Sequence, residues 1–177
     1  EIFLKFNPFA QKDVTSWLIN QKIEVIPPLI SDFFMQGFVN LKVRQNQHLQ
    51  RKLTPDFVID WLYKKVQKQI NKVNEIGKSF NYFIPFESIF EKAEKAKQVI
   101  SLGTQFGEGW LISGEILSFA SQGVNHVISL QPFGCIANHI VEKGIEKRIK
   151  SLCPQMNILS LDFDSSVSDV NITNRLL

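Results

Sequence analysis

The nine residues Gln131-Pro132-Phe133-Gly134-Cys135-Ile136-Ala137-Asn138-His139 hold the side chains best suited to chemistry. A thiol, Cys135, is followed four residues later by an imidazole, His139, one helical turn away on the same face. Three kinds of chemistry suit Cys135. A buried structural thiol needs no partner. A nucleophile needs a base, which His139 would supply, and a helix N-terminus would lower the thiol pKa. A metal ligand would be a soft thiolate, suited to zinc or an iron–sulfur cluster. Cys135 and His139 make two ligands, whereas structural zinc takes four and a cubane cluster usually takes four thiolates. Cys153 lies beyond the intervening helix, about 25 Å away at ~1.5 Å per residue. A metal site therefore has to draw ligands from outside this sequence.

A second stretch, Gly103-Thr104-Gln105-Phe106-Gly107-Glu108-Gly109-Trp110, is a glycine-rich turn that opens a helix. It lacks the Gly-Lys-Ser/Thr ending of a P-loop and the spacing of the dinucleotide fingerprint. Flexible backbone at Gly107 and Gly109 and free N–H groups at the helix start suit an anion or a close-packed ligand. Tight helix packing through small residues fits the same pattern. Asp162 and Asp164 share one side of a strand end, where they could serve as acid, base or magnesium ligands. Capping of a following helix accounts for at least one of them.

These residues need elements to position them. The apolar run Val127–Leu130 reads as a strand leading into the cysteine turn, and Ile136–Leu152 reads as an amphipathic helix leading out. Ligands of open α/β sheets bind in such strand-to-helix crevices. Upstream, Glu1–Phe6 and Ile23–Ile26 read as strands around a helix carrying Val14, Trp17 and Leu18, a βαβ unit with a right-handed crossover. Val99–Leu102 is a further extended run, and Gly123 suits a helix C-cap. Pro154 stops the 136–152 helix, Asn157–Leu161 follows as a strand, and Asp162–Ser166 can cap a last helix, Val167–Leu177. Residues 29–98 instead carry three helical patterns, opened by Ser31-Asp32, Thr54-Pro55-Asp56 and Pro85-Phe86-Glu87-Ser88. The expectation is one domain over 1–177, a doubly wound, Rossmann-like α/β fold with a mainly parallel sheet and a helical insertion at 29–98.

With 177 residues, 44% of them hydrophobic and 21% charged, the chain can build one full core. No apolar run reaches the length of a membrane span, and no signal-peptide pattern opens the sequence. A start at Glu1, inside a strand-like run, suggests a piece of a longer protein. Two cysteines are too few for a secreted disulfide scaffold, so a reducing cytoplasm is expected. Lys64, Lys65, Lys68 and Lys72 fall on one helix face and read as solvated. The aromatics lie on the opposite, apolar face rather than among the lysines, which argues against a nucleic-acid platform.

Several of these stretches together resemble a known family. They are Gly107-Glu108-Gly109-Trp110-Leu111, Gly114-Glu115-Ile116, the Gln131–His139 run, Lys143-Gly144, Asp162-Phe163-Asp164, and Asn171 with Asn174-Arg175. The opening Glu1–Pro8 and the run near Val25 extend the likeness over nearly the whole sequence. The chain looks like the C-terminal, dehydratase-subunit-like region of the large acyl-CoA dehydratase activase-related proteins. In those proteins this region is joined to ATPase modules similar to the activator of 2-hydroxyacyl-CoA dehydratase. The resemblance implies an iron–sulfur protein of anaerobic metabolism. An ATP-driven activator would pass one electron at low potential to a [4Fe-4S]-bearing partner acting on an acyl-CoA thioester. It implies that Cys135 is one cluster ligand, with the remaining ligands outside this sequence. Glu108, Gln131, Asn138 and His139 would shape the cluster or substrate pocket, and a paired, dimer-like assembly is implied too. The pattern departs from the family at Ile136-Ala137 and at Ser165-Ser166-Val167-Ser168. A metal-free docking scaffold and a Cys135/His139 thiol enzyme are the competing readings.

Overall fold

The computed structural model describes residues 2–51, 54–164 and 169–176. Their elements run in order α1 (Ile2–Phe6), α2 (Val14–Asn20), α3 (Ile30–Asn46), α4 (Asp56–Gly77), α5 (Ile89–Ala96) and α6 (Trp110–Ser121). Then come β1 (His126–Pro132), a π-helical stretch (Ala137–Glu142), α7 (Lys143–Leu152), β2 (Asn157–Phe163) and α8 (Asp169–Leu176). β1 and β2 pair in parallel, His126 opposite Asn157 through Pro132 opposite Phe163. The residues between them form the crossover helix that a parallel pair requires.

This architecture corrects the doubly wound expectation. The sheet among the described residues has two strands, and helices supply most of the rest. Three short apolar runs do not form strands, each for a local reason. Ile2–Phe6 is a helix that buries Leu4 alone and leaves Phe3 and Phe6 exposed, where an alternating strand would bury every second residue. Residues 23–26 belong to no helix or strand, and Pro27 and Pro28 remove the next two donors. Residues 99–102 close α5 instead: the Val99 and Ile100 amides both donate to the Ala96 carbonyl at 2.9 Å. Four to six apolar residues carry too little period to separate strand from turn. The start of the expected last helix at 167–168, the cap residues 165–166 before it, and its end at Leu177 lie outside the described residues.

α6 is the spine of the molecule. Every residue from Trp110 to Ser118 is buried, as befits a helix that is apolar all round. Trp110 and Leu111 join a helical core with Met35, Val39, Ile70, Ile89, Ala93 and Ala96 from α3, α4 and α5. Ile112 and Ile116 join a second core with Ala137, Ile145, Ile149 and Met156. A third core, built on Leu4, Val14, Leu18, Leu161, Phe163 and Ile172, packs α1, α2 and α8 on the sheet. Ile128 and Leu130 face that third core while Val127 faces the second, so the strand pair lies between two helical layers. α6 packs closely on α5 because Gly114 has no side chain; a Cβ there would sit 2.8 Å from the Lys92 carbonyl oxygen. Gly123, at φ 86°, ends α6 with the Gly123 amide on Ala120 and the Val124 amide on Phe119, a Schellman closure.

Candidate functional site

The site forms where β1 runs out toward the π-helical stretch. The turn is closed by the Cys135 amide donating to the Pro132 carbonyl at 3.1 Å, with Gly134 at φ 77°. The Asn138 and His139 amides then converge on the Cys135 carbonyl at 3.2 and 2.9 Å. Cys135 is half-buried, outside any disulfide, and packs against the core shared by α6 and α7. π-Helical turns are rare and concentrate at functional sites, because the wider turn re-aims side chains. Here it turns Asn138 and Glu142 inward, and both are buried.

Under this turn lies a row of buried polar groups. Ser129 donates through Oγ to Glu142 Oε2, and Asn138 Nδ2 donates to the same oxygen at 3.0 Å. Gln131, two residues along from Ser129 and so on the same face of β1, is wholly buried. Both of its amide atoms, Asn138 Oδ1 and Glu142 Oε1 lack a hydrogen-bond partner among the described residues. Unpaired buried groups of this kind are costly and call for a role.

His139 is placed differently from the thiol-enzyme expectation. Its Nε2 donates to the Pro132 carbonyl at 3.1 Å, and its Nδ1 stands 3.6 Å from Asp162 Oδ1. Both ring nitrogens therefore face the strand ends rather than Cys135. Asp162, opposite Gln131 in the strand register, also has Lys143 Nζ and Arg175 Nη1 each at 3.8 Å. The carboxyl edge of the pair thus gathers Cys135, His139, Asp162, Lys143 and Arg175.

The glycine-rich turn closes on itself. Gly109, Trp110 and Leu111 amides donate to the Phe106, Thr104 and Glu108 carbonyls at 2.9, 2.9 and 2.7 Å, so these helix-start N–H groups are already bonded. Gly109, at φ 38°, has the Thr104 carbonyl oxygen 2.2 Å from where a Cβ would stand. Gly107, at φ 57°, brings the turn against Ala137, whose Cβ would be 3.6 Å away. Close packing accounts for Gly109, while at Gly107 it is the positive φ that favours glycine.

Glu108 points into a charged triad. Lys5 Nζ meets Glu108 Oε1 at 2.6 Å and Glu115 Oε2 at 3.1 Å. Burial alone would lower the Lys5 pKa, but the two carboxylates outweigh it and hold it above the usual lysine value. Burial would raise Glu108, yet neighbouring positive charge, that of Lys5 foremost, outweighs burial and keeps it below the ordinary carboxylate range. Burial dominates at Glu115 and pushes it up. Two carboxyls pushed in opposite directions beside one ammonium can divide acid and base roles. The triad and the Ser129–Glu142–Asn138 group line one cavity of about 480 Å³, otherwise walled mainly by apolar side chains from α2, α6, β1 and residues 23–28.

Sequence reasoning reached Glu108, Gln131, Asn138 and His139 but missed Lys5, Glu115 and Glu142 as site residues. Glu115 carried a signal, since it is the one charge within the apolar run of α6. As to a metal, Cys135 offers one half-buried sulfur outside any disulfide. No three His, Cys, Asp or Glu side chains group as a metal site among the described residues, so a cluster would need ligands beyond them. No described helix is long and apolar enough to cross a membrane. Comparison with protein-family models, curated proteins and solved structures finds no match for this chain.

Proposed function

We propose that this chain is the cysteine-bearing module of an iron–sulfur electron-transfer or dehydratase-like system, with Cys135 contributing one thiolate to a [4Fe-4S] cluster. The observation that carries the reading is the placement of Cys135: half-buried, on the turn at the carboxyl end of a parallel strand, with its sulfur uncommitted to a disulfide. Lys143 and Arg175 stand near that edge through Asp162 and would favour an anionic group there. The bound cluster would supply one-electron chemistry. The chain's own residues would hold one ligand, seal the turn through Pro132 and His139, and keep water from the buried Gln131–Asn138–Glu142 row. The remaining ligands, the ATPase modules that drive the electron and the acyl-CoA substrate belong to partner modules or further polypeptide, in a cytoplasmic, anaerobic setting. The engagement of His139 with Pro132 and Asp162 disfavours the thiol-enzyme alternative.

The test is anaerobic preparation and reconstitution of the protein, with and without Cys135→Ala, followed by iron and sulfide analysis and spectroscopy of the reduced state. Cluster iron in the wild type, lost or spectrally altered in the variant, is the expected result. Equal, iron-free preparations would leave the docking scaffold as the surviving reading.

A further inference from the structure

One edge of β1 turns away from β2 and is open at His126 and Ile128. The Asn157 amide bonds to the Asn125 carbonyl and the Phe133 amide to the Phe163 carbonyl, both at 2.8 Å. Along a parallel ladder, alternate residues face the partner strand, so the odd-numbered residues of β1 serve β2. The N–H and C=O of His126 and Ile128 therefore face away from β2, and no described residue bonds to them.

What lies beyond that edge is the cavity. Residues 126 to 130 all line it consecutively, which a strand does only when the space runs along its edge rather than over one face. Its opposite wall is residues 23–28, likewise consecutive and outside any helix or strand. The cavity is thus a slot between the edge of β1 and an irregular segment. Its walls are apolar at Leu18, Ile112, Ile116 and Phe119, and they carry Glu24, Glu108, Glu115 and Glu142 against a single lysine, Lys5.

The geometry points to a binding site for an extended segment of a partner polypeptide, which adds to the free edge of β1 as a strand, with apolar side chains and one basic residue. Main-chain bonds to His126 and Ile128 give affinity, as in strand addition to sheet edges. The basic side chain answers the surplus of carboxylates, and buried Glu142 Oε1 and Asn138 Oδ1, both without a partner among the described residues, mark where a donor is wanted. The site is independent of the cluster reading, since no step involves Cys135.

The probe is a panel of capped heptapeptides alternating valine and threonine, with a single lysine moved through each position. Binding is followed by fluorescence anisotropy, and the His126 and Ile128 amides by hydrogen exchange. The expected result is at least one lysine position that binds, with exchange at both amides slowed tenfold or more. N-methylating alternate peptide amides, or replacing the lysine with glutamate, should weaken binding at least tenfold. Glu142→Gln with Glu115→Gln should erase the preference for lysine. The proposal is overturned if no peptide of the panel binds below about 1 mM, a free energy near −4 kcal/mol. It is overturned equally if binding leaves the two amides exchanging at the free rate, or if N-methylation is without effect. Binding by small cationic amphiphiles that leaves those amides unprotected would replace the strand with a small-molecule ligand.

Discussion

Lys92 and Asp32 form an ion pair in the interior, beside the candidate site: Lys92 acts on Glu115 and Lys5 acts on Asp32. Burial raises the Asp32 pKa against the pull of Lys92. The pair therefore costs desolvation that its attraction only partly returns. Lys92→Ala should destabilise by about 3–5 kcal/mol, because it leaves a buried carboxylate alone. The double change Asp32→Leu with Lys92→Met should be near neutral, and urea denaturation of the three proteins checks both outcomes. Gly109→Ala should lower stability by about 2 kcal/mol or more, since it adds a clash with the Thr104 carbonyl to a strained φ. Thermal melting measures it. For pH, Glu87 is the informative group. Burial would raise it, but its hydrogen bonds from Lys95 and Ser118 and the Lys95 charge lower it. A carboxyl whose folded pKa lies below its unfolded value adds stability above that unfolded value, ordinarily 4.5 here, and loses it as pH falls through the folded value. Glu87→Gln should accordingly cost stability at pH 7 and flatten the fall in stability below pH ~4.5, read from denaturation midpoints across the acid range. At this scale the sequence exposed Cys135, His139 and Glu108 as polar residues beside glycines and a helix start. It could not pair Lys5 with carboxyls 103 and 110 residues away, because such spacing has no local signature.

At the scale of elements, local signals were strongest where caps and period coincide. α5 opens with a complete capping box: Ser88 accepts from the Glu91 amide, and Glu91 accepts from the Ser88 amide. Ser88→Ala should cost about 1 kcal/mol, visible as a lower midpoint in urea with an unchanged slope. The β1–helix–β2 unit was equally legible, because Val127–Leu130 and Asn157–Leu161 flank a helix with a clear apolar face at Ile145 and Ile149. The short runs at 2–6, 23–26 and 99–102 misled, since apolar residues too few to show a period take their conformation from tertiary contacts. Leu4, for instance, is buried by packing against Val14, Leu18 and Leu161, not by strand pairing. The π-helical stretch had no sequence mark; its inward Asn138 and Glu142 stand four apart, as in an ordinary helix turn.

For the whole molecule, α6 divides the cores and α4 stands at the periphery. Only Ile59, Ile70 and Gly77 of α4 are buried, while Phe57, Trp61, Leu62, Val66, Val73 and Ile76 remain exposed. Helical spacing alone puts Phe57, Ile59, Leu62, Val66, Ile70 and Val73 on one apolar face; of these the structure buries only Ile59 and Ile70. Backbone with few buried contacts opens at low free energy. Native-state hydrogen exchange should show α4 amides exchanging fastest among the long helices and α6 amides slowest, near the global unfolding limit.

The Lys5–Glu108–Glu115 triad has a consequence for how the polypeptide is made. A ribosome adds about 5–20 residues per second, so Lys5 emerges roughly 5–20 s before its first carboxylate, 103 residues later, exists. Through that interval Leu4 also lacks Leu161 and Phe163, and Phe3, Phe6 and Phe9 stay exposed even when folding is done. The nascent chain thus displays an apolar, aromatic segment for many seconds, the kind of surface that holdase chaperones shield. In a translation system stripped of such chaperones, arrest before residue 108 should yield chains that aggregate through the segment holding Phe3, Phe6 and Phe9.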